Sequence, residues 1–122
     1  MRRLVSAIAV LLLGALTLTS CGSDNSSALD ASGLPTKTIT ITFNGDDVSP
    51  NGQRYDVAIG QRIEFDVTAD KPGEIHVHSS PAQELKYDKG SSTIDVKPIT
   101  TPGIVTVESH TLDKVILQLQ VT

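Results

Sequence analysis

From Thr36 to Thr122 the apolar side chains recur at every second position, and that period decides what the chain can fold into. In an extended backbone successive side chains point to opposite faces, so strict alternation gives each segment one apolar and one polar face. Thr38-Ile39-Thr40-Ile41-Thr42-Phe43 puts Ile39, Ile41 and Phe43 together. Ile63, Phe65 and Val67 alternate with Arg62, Glu64, Asp66 and Thr68, and Ile75 and Val77 with Glu74, His76 and His78. Ile94 and Val96 form a shorter run, and Val115, Leu117, Leu119 and Val121 a longer one that leaves Ile116 on the polar side. Turn chemistry separates the runs: Asn44-Gly45, Pro50-Asn51-Gly52, Gly60-Gln61, Lys71-Pro72-Gly73, Lys89-Gly90 and Pro102-Gly103. No window carries an amphipathic helical pattern, and Pro81 to Lys86 offers at most one helical turn. Short, β-branched, half-apolar runs at this spacing predict an all-β domain, an antiparallel β-sandwich over residues 36–122.

The means of stabilising it are narrow. One cysteine, Cys21, excludes an internal disulfide, and with no tryptophan the aromatics are Phe43, Phe65, Tyr55 and Tyr87. A domain of this size buries roughly 60–65% of its unfolded surface. The core must therefore come from Ile, Val and Leu.

The N-terminus follows a different logic. Arg2 and Arg3 precede an apolar run from Leu4 to Leu18, which ends abruptly at Thr19-Ser20-Cys21. This is the layout of a secretory signal peptide, too short for a membrane-spanning helix. Leu18-Thr19-Ser20-Cys21 resembles the lipobox of bacterial lipoproteins. That resemblance implies cleavage before Cys21 and diacylglyceryl attachment to its sulfur, which would anchor the protein at the extracytoplasmic face of a cell membrane. The alternative is a chance thiol beside an ordinary cleavage site. Residues 1–20 would then leave, and residues 21–35, rich in Ser, Gly, Asp and Asn, read as a flexible tether. Such a tether holds a domain about 20 Å from its anchor on average. Eight lysines and arginines would remain against fourteen aspartates and glutamates, a net charge of −6. An acidic surface without a basic cluster disfavours nucleic acid and anionic headgroups, so membrane attachment would fall to the lipid.

Three segments together resemble the cupredoxin-like family: Val57-Ala58-Ile59-Gly60-Gln61-Arg62-Ile63-Glu64-Phe65-Asp66-Val67, Gly73-Glu74-Ile75-His76-Val77-His78, and Pro102-Gly103-Ile104-Val105-Thr106-Val107-Glu108-Ser109-His110. The resemblance implies a Greek-key sandwich in which the strand carrying His76 and His78 lies beside the one ending at Glu108 and His110. A blue copper centre needs a thiolate, two imidazoles and usually an axial methionine. Glu108 stands where the resemblance places the thiolate, and the one methionine, Met1, belongs to the leader. The copper site is degenerate, and type 1 copper electron transfer is excluded.

His76 and His78, two apart on a predicted strand, share a face, and imidazole suits Zn, Cu or Ni. With the topology implied above, His76, His78, Glu108 and His110 become candidate metal ligands for Cu or Zn. The plainer alternative makes them polar residues on the solvent side of a sheet. Ser109 adjoins His110, but neighbouring strand residues face opposite ways and no nucleophile elbow is present, so a hydrolytic triad is not expected. Asp46-Asp47 lacks the spacing of a calcium loop and reads as turn chemistry. The expectation is a non-enzymatic, lipid-anchored binding module for an envelope protein or small ligand. The alternative is a metal-handling protein that uses the histidines.

Overall fold

The computed structural model describes residues 32–122; the expected leader, Cys21 and most of the expected tether lie outside them. Nine strands and no helix make up the described residues: β1 (Lys37–Asn44), β2 (Asp47–Ser49), β3 (Gln53–Val57), β4 (Ile63–Ala69), β5 (Gly73–Val77), β6 (Gln83–Tyr87), β7 (Gly90–Val96), β8 (Gly103–Ser109) and β9 (Lys114–Val121). They form two sheets, one in the order β2-β1-β4-β7 and one in the order β3-β9-β8-β5-β6.

The alternating runs face one another. Ile39, Ile41 and Phe43 from β1 and Ile63, Phe65 and Val67 from β4 are buried. So are Ile75 and Val77 from β5, Val105 and Val107 from β8, and Leu117, Leu119 and Val121 from β9. Removing these side chains from water is the main term holding the domain together.

The sheets are mixed, not antiparallel throughout. β1 runs parallel to β4, with Ile39 opposite Phe65, and β3 runs parallel to β9, with Tyr55 opposite Leu119. Parallel neighbours need a crossover connection. β2 and β3 supply the one between β1 and β4 by crossing to the other sheet.

Two local expectations are corrected. Residues 83–86 of the segment expected to offer at most a helical turn belong instead to β6, with Gln83 and Tyr87 inward. A polar residue at a buried position hid its alternation. In β9 the register steps from Val107–Leu117 to Glu108–Val115, so Ile116 is an extra residue. Such a bulge lets two successive side chains face the same way, and Ile116 is as fully buried as Leu117.

Gln83 closes a gap between the sheets. Its Oε1 accepts the Lys97 N–H at 2.8 Å, and its Nε2 donates to the Lys97 carbonyl at 3.2 Å and to Ser79 Oγ at 3.0 Å. At the other end of the molecule, Gly45 opens the two-residue turn between β1 and β2 at φ 61°. Glycine at the first central position is what a type II′ hairpin turn requires.

Candidate metal centre

The outward face of the five-stranded sheet gathers the chain's three histidines. Inward Ile75 and Val77 force His76 to point out of β5, and His78 follows directly on the same side. Inward Val107 and Ser109 likewise turn Glu108 and His110 outward. The β5–β8 ladder sets His76 opposite Glu108, and the His78 N–H donates to the Thr106 carbonyl at 2.9 Å. Strand register alone therefore collects residues more than thirty positions apart.

One ligand atom from each of His76, His78 and His110 lies within 4.8 Å of the others. The His76 ring centroid is 4.6 Å from that of His78, tilted by 57°, and 4.6 Å from that of His110, almost parallel at 16°. His78 Nε2 donates to Glu108 Oε2 at 2.9 Å, and His110 Nε2 is 3.9 Å from the same oxygen. Glu108 thus stands beside the imidazole set as the carboxylate shared by two of its rings. The His76 side chain is 17% exposed, against 45% for His78 and 58% for His110.

His76 Nδ1 is the one buried side-chain nitrogen or oxygen among the described residues without a hydrogen-bond partner. Leaving such an atom unpaired costs about 1–3 kcal/mol. Glu84 Oε1 is 4.0 Å away, across the β5–β6 ladder. Sequence reasoning missed Glu84 because it missed β6. The readable signal was Gln83, Leu85 and Tyr87 alternating with Glu84 and Lys86.

A metal ion lies about 2 Å from each imidazole nitrogen it binds, so ligand nitrogens end up about 3–4 Å apart. It also lies in the plane of each ring. The nearly parallel His76 and His110 rings share no such point nearby, so joint coordination requires one ring to turn. His110, the more exposed, has the room.

The remaining candidates resolve as structural. Ser109 is buried on the opposite face from His110, and its Oγ accepts the Leu112 N–H at 3.3 Å. The Asp46 carbonyl accepts from Lys114 Nζ at 2.5 Å, and that nitrogen lies 3.8 Å from Asp47 Oδ1, as turn chemistry would have it. A recess on the outer face of the other sheet, lined by Thr40, Asp66, Thr68, Ser91 and Thr93, lies away from the histidines.

No family model matches the chain, and no curated protein does. Solved structures do. A copper(I) form of an amicyanin variant is 11% identical, with 70% of this chain and 82% of that one covered at a TM-score of 0.52. A purple cupredoxin from Nitrosopumilus maritimus is 11% identical, covering 70% and 99% at 0.51. Auracyanin A, a blue copper protein from Chloroflexus aurantiacus, is 12% identical, covering 72% and 100% at 0.51. A blue copper centre does not fit the residues present, since positions 32–122 hold neither cysteine nor methionine. What these likenesses establish is the architecture: the sandwich is cupredoxin-like.

Proposed function

We propose that this protein is lipid-anchored through Cys21 at the extracytoplasmic face of a cell membrane. Its sandwich binds a divalent ion, Cu(II) or Zn(II), at His76, His78 and His110, for buffering or delivery and without catalysis. The observation carrying this reading is the convergence of three imidazoles, one ligand atom from each lying within 4.8 Å of the others. A merely hydrophilic strand face has no reason to gather all three histidines of the chain at one spot.

Neutral imidazoles supply the ligands. His76, His78 and His110 would hold the ion, and Glu108, which now accepts from His78 Nε2 at 2.9 Å, would give up that bond and supply a carboxylate beside the set. His110 turns off its stack to complete the set. With no thiolate in reach, bound Cu(II) should be tetragonal and lack an intense blue band.

Calorimetric titration of the full chain in detergent with Cu(II) and Zn(II) tests the proposal. The expected result is one ion per chain, with affinity reduced at least tenfold in the His76→Ala/His78→Ala double variant. Both side chains point outward, so the variant should keep its far-UV circular dichroism. Equal binding by the two proteins would discard the metal site and leave an interaction module for an envelope protein or small ligand.

A further inference from the structure

His76 sits between two carboxylates, Glu108 opposite it on β8 and Glu84 opposite it on β6. Glu108 is committed to the other rings, at 2.9 Å from His78 Nε2 and 3.9 Å from His110 Nε2. On the β6 side, Glu84 Oε1 lies 4.0 Å from His76 Nδ1, which has neither solvent nor a hydrogen-bond partner. Glu74, two residues back along β5, stands opposite Lys86.

We propose that Glu84 is the positioning residue of the centre: it takes the hydrogen bond from His76 Nδ1–H and leaves Nε2 as the atom that binds the ion. A neutral imidazole carries one proton, so an acceptor at one nitrogen decides which nitrogen offers a lone pair. Metal-binding histidines commonly donate their second N–H to a carboxylate, which fixes both tautomer and ring orientation. The Glu84 side chain is 64% exposed. It closes the gap to a hydrogen bond by moving about 1 Å. Glu84 itself touches no ion and acts through His76. For its effect on affinity the inference rests on the metal reading; the tautomer does not.

Long-range nitrogen-15 NMR of the metal-free full chain in detergent, at mildly alkaline pH, reads the tautomer of each histidine directly. His76 should carry its proton on Nδ1. Glu84→Gln, which keeps a carbonyl acceptor, should preserve that tautomer, while Glu84→Ala should shift it toward Nε2–H. Zn(II) affinity should fall about 10–100-fold in Glu84→Ala and recover substantially in Glu84→Gln. An Nε2–H tautomer in the wild type, or one unmoved by Glu84→Ala, would overturn the assignment. A wild type that binds no Zn(II) would instead end the metal reading, with the tautomer still deciding the role of Glu84.

Discussion

Tyr87 carries its phenol into the sandwich, with its ring 4.7 Å from that of Phe43 and within 13° of parallel. Its hydroxyl comes so close to Gly73 that a Cβ there would collide with it. Burial, and then the Asp70 carboxylate, raise the pKa of this phenol above its ordinary value of 10. The neutral form is therefore the one that fits the folded state. A group whose pKa is raised by folding contributes stability below its unfolded pKa and loses it as pH climbs through the folded one. Urea midpoints should accordingly fall above pH 10, and Tyr87→Phe should fall less over the same interval. Parallel curves for the two proteins would show that Tyr87 titrates without consequence for folding. Position 73 offers a second check: Gly73→Ala should cost about 1–3 kcal/mol through overpacking. An unchanged urea midpoint would mean that the Tyr87 ring yields freely.

Among the elements, β4 is central to its sheet and β6 lies at an edge, and the two fail differently. Phe65, fully buried on β4, stands between Ile39 and Ile94 in the ladder. Phe65→Ala should cost about 3–5 kcal/mol, most of the stability of a small domain. On β6, Gln83→Leu adds apolar surface yet should destabilise by about 1–3 kcal/mol, because it strands the Lys97 N–H and carbonyl. Chemical denaturation measures both, and a stabilised Gln83→Leu would show that this polar bridge is dispensable. The same contrast explains what was legible beforehand. The inward faces of β1, β4 and β5 follow from alternation, and the meeting of His76 with Glu108 from the likeness to a known topology. β6 stayed hidden because its inward positions begin with glutamine, and Glu84 was lost with it. The bulge at Ile116 was unreadable for another reason: β9 is apolar at both parities from Val115 to Leu117, so the pattern does not say where the register slips.

At the scale of the whole molecule, the expected leader and the sandwich lead to separate experiments. Cys21→Ala should remove labelling by a palmitate analogue and leave the uncleaved precursor, while the β-dominated circular dichroism of the domain persists. Equal label in the variant would refute the anchor without touching the fold. The placing of the histidines has a consequence for traffic. They stand on the outer wall of the sheet, with the apolar core behind them. On the metal reading proposed above, a cation held there would exchange with the surroundings by side-chain rotation alone, with no strand having to separate. Its residence time would then be set by bond strength and not by the breathing of the fold, and a second protein bearing competing ligands would take the cation by direct contact.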